Sequence, residues 1–334
     1  MYVYIAKRVV QMIPVLFGVT FIIFFLLHLL PGNPAEVLLG PDATDEQVRE
    51  MEHALGLDQP LYAQYGKFIG RLLRGNLGES IRFRRPVTEL LREKFPVTIE
   101  LTAAAMMVII VISLPVGIAC AVRRDSIFDH LGMAASIAGV SIANFWLGIM
   151  AILLFAGALG VLPSGGRISS DVAIYGLTGF YFLDYVMKGD WYGLVDAFKH
   201  ILMPALTLGI GFSAISVRIV RASMLEVLAR EYIVTARSKG LAEKVVVYIH
   251  ALKNAMIPII TVIGLQLGIL LGGVIVVETV FSWPGIGSLL ITGITSRDYV
   301  LVQGAVLFFA FLRIGINLLT DLSYALLDPR IKYH

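Results

Sequence analysis

Six long apolar runs constrain this chain more than any other feature. A helix crosses the hydrocarbon core of a bilayer with about 20 consecutive, mostly apolar residues. Runs of that kind occupy Val9–Leu30, Ile99–Cys120, Met133–Ala156, Ile201–Val220, Ile257–Phe281 and Val300–Leu322. The composition agrees with a bilayer as solvent. Of 334 residues, 57% are hydrophobic and 15% charged, where a soluble domain carries about 25% charged residues. Mean hydropathy is +0.82. The expected fold is an all-α integral membrane protein with six transmembrane helices and membrane lipid as its surroundings. The formal net charge of +3 is too small to point to a nucleic acid partner. Cys120 is the single cysteine, which excludes an internal disulfide and a cysteine-based metal cluster.

Lys7 and Arg8 precede the first run, as they would in a signal peptide. The run is too long for a typical signal core and leads into His28-Leu-Leu-Pro-Gly-Asn-Pro34, with no small-x-small cleavage site. It reads as a retained anchor. Orientation follows from Lys and Arg in short loops. With the N-terminus inside, cytoplasmic pieces hold thirteen basic residues: Lys7, Arg8, Arg123, Arg124, seven between Arg218 and Lys253, Arg330 and Lys332. The short outer loops hold four, Arg167, Lys188, Lys199 and Arg297. Both termini and the segment between the fourth and fifth runs are therefore expected in the cytoplasm.

The long outer loop, 31–98, carries structure of its own. Thr44 with Gln47 is a capping-box pattern, followed by Val48, Met51 and Leu55 at helical spacing and by Gly56 as a stop. Leu61, Tyr65, Phe68 and Leu72 form a second amphipathic stripe, and Pro86 starts a third short helix through Phe95. These helices read either as caps over an outer mouth, as interfacial helices or as plain lids. The second outer loop, 157–200, is rich in aromatics, among them Tyr175, Tyr181, Tyr185, Trp191 and Tyr192. An interfacial aromatic belt and a docking face for an external protein are both open.

Enzyme signatures are missing. The sequence has no GxxxxGK[ST] phosphate loop and no HExxH. Gly139-Val-Ser-Ile-Ala143 has the outline of a nucleophile elbow, but it lies mid-span, where the strand-to-helix turn that motif needs is not expected. The six histidines are scattered and suggest no metal site. What does stand out in the membrane is glycine and charge. Gly264, Gly268 and Gly272 share one face of the fifth run, a spacing that lets helices approach closely. Static packing within one subunit and a gate or subunit interface are the two readings. Glu278 closes the fifth run and Arg313 lies deep in the sixth. A charge at that depth usually faces a cavity or a partner. Arg313 and Glu278 are thus path candidates, with an ion pair or a snorkelling side chain as the plainer account.

The segment from Glu231 to Pro258 is the strongest functional clue. It reads EYIVTARSKGLAEKVVVYIHALKNAMIP between two greasy spans, with Glu231, Arg237, Lys239, Glu243, Lys244 and Lys253. Gly240 breaks a first helix, and a second runs on toward the fifth span. A short helix held by a glycine elbow makes a rigid knob for the groove of a soluble partner.

These residues resemble the cytoplasmic coupling loop of ABC importer permeases in its peptide-transporter form, through Glu231–Leu241 and His250-Ala-Leu-Lys-Asn-Ala-Met-Ile-Pro258. Leu30-Pro-Gly-Asn-Pro34, Leu55-Gly-Leu-Asp-Gln-Pro60, Gly75-Asn-Leu-Gly-Glu-Ser80, Phe281-Ser-Trp-Pro-Gly-Ile-Gly287 and Asp328-Pro-Arg330 follow the family's order along nearly the whole chain. Ser126-Ile-Phe-Asp-His130 and Ser164-Gly-Gly-Arg167 bring it nearest to dipeptide permeases. The family's general Glu-Ala-Ala triplet aligns with Val234-Thr235-Ala236; the leading acid is absent and Gly240 is kept.

The resemblance implies a type I importer permease. Its parts would be an N-terminal transmembrane helix, 1–30, an extracytoplasmic helical loop, 31–98, and a five-helix permease core, 99–334, with its coupling loop at 226–256. ATPase coupling would fall to Glu231, Tyr232, Thr235, Ala236, Arg237, Lys239, Gly240 and Leu241. Implied partners are a second homologous permease, two cytoplasmic ATPases and an extracytoplasmic peptide-binding protein. ATP and Mg would be used by the ATPases, with no cofactor bound by this chain. The setting would be a prokaryotic plasma membrane, the inner one in a Gram-negative cell. Dipeptides or short oligopeptides are the implied cargo, with glutathione, haem or a nickel chelate as alternatives. An intramembrane enzyme and an ATP-independent channel or receptor are the rivals from other classes.

Overall fold

A computed structural model describes residues 2–29, 39, 43–56 and 58–327. The Leu30–Pro34 and Asp328–Arg330 motifs, Lys332 and Leu57 lie outside the described residues. Among the described residues the regular structure is helical, apart from one isolated bridge between Glu79 and Pro86. The helices are α1 (Tyr2–Leu29), α2 (Asp45–Leu55), α3 (Leu61–Leu73), α4 (Val87–Val122), α5 (Ile127–Ser141), α6 (Asn144–Ala151), α7 (Tyr181–Lys188), α8 (Trp191–Leu228), α9 (Glu231–Ser238), α10 (Glu243–Val245), α11 (Leu252–Val280), α12 (Ile286–Thr295) and α13 (Tyr299–Leu327). Wide π turns continue α6 through Ile152–Ala158 and join α10 to α11 through Val246–Ala251.

Among the described residues, four helical stretches are long and apolar enough to cross a membrane: α4, α8, the α10–α11 unit and α13. The α1 helix adds a shorter apolar stretch, Val10–Phe25. The run read as one straight span at Met133–Ala156 is broken instead. Ile142 and Ala143 are extended, and α5 meets α6 and its π turn at 98°. The bend lets Gly148 seat against the Phe281 ring, where an added Cβ would lie 3.0 Å from Cε2. Hydropathy counts apolar residues and carries no information on direction, so the break is invisible to it.

The expected short helix at Pro86–Phe95 and the second span are a single 36-residue helix, α4, with Pro96 and Pro115 inside it. A proline inside a helix loses one backbone hydrogen bond. Tight burial of Val97, Thr98 and Leu101 just beyond Pro96 holds the helix together regardless. The capping box forms as read: Gln47 N–H donates to Thr44 Oγ1, Thr44 N–H donates to Gln47 Oε1 at 3.0 Å, and Gly56 ends α2 at φ +70°. The amphipathic stripe of α3 packs along α1. Tyr65 Oη and Thr20 Oγ1 are 3.0 Å apart, and Phe68 stacks on Phe24.

The longest helix, α8, runs through the middle of the molecule, 67% buried over its apolar window. Its contact with α4 is close because Gly117 and Gly209 carry no Cβ; one at Gly117 would strike Val220, and one at Gly209 would strike Val108. One apolar core joins Leu101, Ala105 and Ile109 of α4 to Leu208 of α8, Leu270 and Val274 of α11, and Trp283. A second core sits at the α9 end of the bundle, around Met224, Ile233, Val246 and Ala255.

Candidate functional site

The α8 helix ends at Leu228, and Arg230 turns extended to start α9. Glu231 in the first turn of α9 and Arg237 in its last turn suit the helix dipole. Two side chains pin the helix down. Ile233 is fully buried and Ala236 is 8% exposed, both packed in the core with Val220 and Met224 of α8 and Val246, Val247 and Ala251 of the π turn. Burying an isoleucine side chain is worth roughly 1.5–3 kcal/mol, so this contact fastens α9 to both neighbouring spans.

The elbow closes in the left-handed region. Gly240 has φ +75°. Its N–H donates to Arg237 O at 2.9 Å, and Leu241 N–H donates to Ala236 O at 3.4 Å. Arg237 then reaches over the elbow and donates to both carboxylate oxygens of Glu243, at 2.6 and 3.1 Å. The hydrogen bond to Glu243 holds the Arg237 guanidinium above its usual range. Both side chains are about half exposed, and such surface pairs contribute only ~0.2–1 kcal/mol. The bridge shapes the elbow more than it stabilises it.

The outward face of α9 is open. Glu231, Tyr232, Val234, Thr235, Arg237, Lys239, Gly240 and Leu241 are all exposed. Seven of the eight residues expected to meet an ATPase thus share one free surface. Ala236 differs: it is buried in the apolar core with the π turn Val246–Ala251. Exposed apolar side chains, Tyr232, Val234 and Leu241, stand among the charged Glu231, Arg237 and Lys239, a mixture suited to docking a protein.

The glycine face of α11 divides. A Cβ at Gly264 would strike Thr320 of α13, and one at Gly268 would lie 3.2 Å from Asn317 Oδ1. These two glycines do permit close packing. Gly272 does not, since nothing lies within 4 Å of where its Cβ would be.

Glu278 leaves the list of path candidates. It is fully buried at the end of the bundle opposite α9. Thr98 Oγ1 donates to it at 2.7 Å and Ser288 N–H at 3.0 Å, while Ile286 N–H donates to Thr98 Oγ1 at 2.9 Å. Gly285 leaves no room for a side chain beside the carboxylate. Glu278 therefore ties α11, α4 and the start of α12 together. Arg313 is instead exposed on α13, with its Cγ 4.0 Å from the Cβ position of Gly268.

Sequence reasoning missed three polar clasps. Arg167 and Glu100, 7% and 8% exposed, pair at 2.5 Å, with Arg167 also donating to Gly179 O at 2.7 Å and stacking on Tyr181. Asp129 of α5 takes both oxygens to Arg221 of α8 at 2.6 Å. Asp298 accepts from Ser80 Oγ at 2.5 Å and Arg82 N–H at 3.0 Å, fastening the first outer loop to α13. The Ser164-Gly-Gly-Arg167 motif was the available signal for the first. A Cβ at Gly165 would strike the Phe281 carbonyl, and Gly166 N–H donates to that carbonyl at 2.9 Å, which delivers Arg167 to Glu100. In the same loop, burial pushes the Tyr185 hydroxyl up to about 12. Among the described residues no group of His, Cys, Asp and Glu is arranged to hold a metal ion.

Comparison with known proteins agrees with this geometry. Residues 113–333 match the binding-protein-dependent transport system inner membrane component, and residues 1–102 match the N-terminal part of such membrane components. The dipeptide transport system permease protein of Alkalihalophilus pseudofirmus is 43% identical over the full length of both chains. The di/tripeptide transport system permease protein of Pseudomonas aeruginosa is 44% identical, over 99% of this chain and 98% of its own. A solved structure, the MetNI methionine ABC transporter in inward-facing conformations, shares the fold with a TM-score of 0.51. The match is 19% identical and covers 72% of this chain and 96% of that one. This chain is a multi-pass membrane protein and a component of a multi-subunit import system: it belongs to the family of binding-protein-dependent transport system inner membrane components.

Proposed function

We propose that this chain is the permease subunit of an ATP-binding-cassette importer that carries dipeptides or short oligopeptides into the cell. The identity to di- and tripeptide permeases over the whole length supports the cargo. One structural observation carries the mechanism: the inner face of α9, Ile233 and Ala236, is buried in one apolar core with α8 and with the π turn that leads into α11, and its outer face is free. Force applied to Tyr232, Thr235 or Lys239 passes into two membrane-crossing helices at once.

The proposed assembly has this chain beside a second homologous permease, each docked through its α9 elbow on a cytoplasmic ATPase. A peptide-binding protein delivers cargo on the other side, where the 157–200 loop lies. The termini and α9 face the cytoplasm of a prokaryotic plasma membrane. ATP and Mg are bound and used by the ATPases, and this chain contributes no chemical step. ATP binding draws the two elbows together and switches which side the path opens to, a population shift biased by partners.

The test is a single-cysteine scan of α9 in the complete transporter. Cysteines at Tyr232, Thr235 and Lys239 are expected to crosslink to an ATPase subunit, and cysteines at Ile233 and Ala236 to stay unreactive. Uptake of labelled dipeptide should need both ATP and the binding protein. Crosslinks to an externally added reagent, or ATP-independent uptake, would refute the reading.

A further inference from the structure

Among the described side chains, the three buried acids of the α4, α5 and α11 helices are already committed. Glu100 pairs with Arg167, Asp129 pairs with Arg221, and Glu278 accepts from Thr98 and Ser288. Arg313 has no such counterpart among the described residues. It is the middle residue of the 29-residue α13, exposed on that helix, and Asn317 is exposed one turn further on. Both project beside the glycine face of α11. The Cβ position of Gly268 lies 3.2 Å from Asn317 Oδ1 and 4.0 Å from Arg313 Cγ, and the one at Gly272 opens on empty space. A guanidinium and an amide thus stand exposed beside a glycine face, halfway along a membrane-length helix.

A charge within a membrane span is kept where it meets water, a counter-ion or a ligand. Guanidinium has a planar fork of donors that fits a carboxylate with two parallel hydrogen bonds. An asparagine amide one turn away supplies a further donor and an acceptor. A peptide at neutral pH brings the matching group, since an α-carboxyl titrates near ~3.5. Resting on the importer reading above, we propose that Arg313 and Asn317, over Gly268 and Gly272, form a subsite on the transport path. It reads the C-terminal carboxylate of the passing peptide. The occupant is the cargo, not an acid of the second permease.

The experiment uses the complete transporter in proteoliposomes with its binding protein and ATPases. Uptake of a dipeptide and of its C-terminal amide is measured in parallel, with the amide raised in concentration until the parent protein moves it at a measurable rate. Arg313→Met is expected to lower dipeptide uptake about tenfold or more, the loss of a charge-assisted hydrogen bond, and to change amide uptake less than twofold. Asn317→Asp, which supplies Arg313 with an internal carboxylate, should give the same selective loss. ATPase copurification should be unchanged in both. An equal fall for the two substrates, a loss of assembled complex in both variants, or no fall at all overturns the subsite. If the parent transporter moves no peptide under ATP, the importer reading itself has failed.

Discussion

The two ends of the bundle are held together by different chemistry. At the end opposite α9, buried polar groups answer one another: Arg167 with Glu100, Glu278 with Thr98 and Ser288, Asp298 with Ser80, and Trp283 Nε1 donating to Val97 O at 3.0 Å. At the α9 end the buried Asp129–Arg221 pair joins α5 to α8, but α9 itself is fastened by apolar contact, through Ile233, Met224 and Val246, and the one bridge over the elbow, Arg237–Glu243, is half exposed. A buried network is all or nothing, because removing one member strands the others. An apolar seat with an exposed bridge tolerates change on its outer side. The first end is built to keep its shape, and the second to hold a helix firmly while leaving one face for a partner.

That contrast is broken most directly at Arg167. Arg167→Met strands the Glu100 carboxylate in a site 8% exposed. Losing one partner of a buried pair costs about 3–5 kcal/mol. Thermal unfolding in detergent should show a large fall in Tm, with low membrane levels of the protein. Adding Glu100→Leu should restore much of it, since the stranded charge is then gone. The comparison fails if Arg167→Met lowers Tm no more than Arg237→Ala, whose pair contributes only ~0.2–1 kcal/mol.

A mid-sized effect belongs to the apolar seat. Ile233→Ala leaves a cavity under α9, and isoleucine-to-alanine changes in a core cost roughly 2–5 kcal/mol. The change should show up as local opening. Amide exchange in α9 should speed up and a protease should cut near Gly240, while exchange around Trp283 stays slow. Uptake should fall with it. Tyr232→Ala, on the exposed face of the same helix, should keep slow exchange and weaken only ATPase docking. Equal protection in both variants would mean that Ile233 does not anchor the helix.

What could be read in the sequence was local. The Thr44–Gln47 capping box, the Gly240 elbow and the apolar stripe of Tyr65 and Phe68 each lie within a few residues, so their chemistry is visible before folding. Apolar runs located the membrane helices for the same reason. The clasps are long-range. Arg167 finds Glu100 67 residues away, and Thr98 finds Glu278 at a separation of 180. Nothing in the spacing of such residues announces the pair. That is why Glu278, which looks in sequence like a lone charge beside a path, turns out to be enclosed. The coupling segment was legible as a segment but not by face. Ile233 and Ala236, three residues apart, mark the inner side. Glycine spacing on α11 located packing contacts at Gly264 and Gly268, while Gly272 faces open space.

The smallest effect isolates the elbow's backbone. Gly240 sits at φ +75° with nothing within 4 Å of a Cβ position, so a substitution there meets no clash. What it meets is the left-handed conformation itself, which disfavours most side chains by ~1–2 kcal/mol and asparagine or aspartate less. Uptake should therefore fall in the order Gly240, Gly240→Asn, Gly240→Ala, Gly240→Val, with Tm held because the far end is untouched. A penalty of ~1 kcal/mol corresponds to roughly a fivefold loss of the correctly folded elbow. Gly240→Asp separates the remaining variable. It matches asparagine in shape and backbone tolerance but adds a negative charge beside the Arg237–Glu243 bridge and the docking face. If aspartate is markedly worse than asparagine, charge at the docking surface matters beyond the turn. If valine transports as well as glycine, the working transporter does not hold this elbow left-handed, and the rigid link from α9 to its spans fails with it.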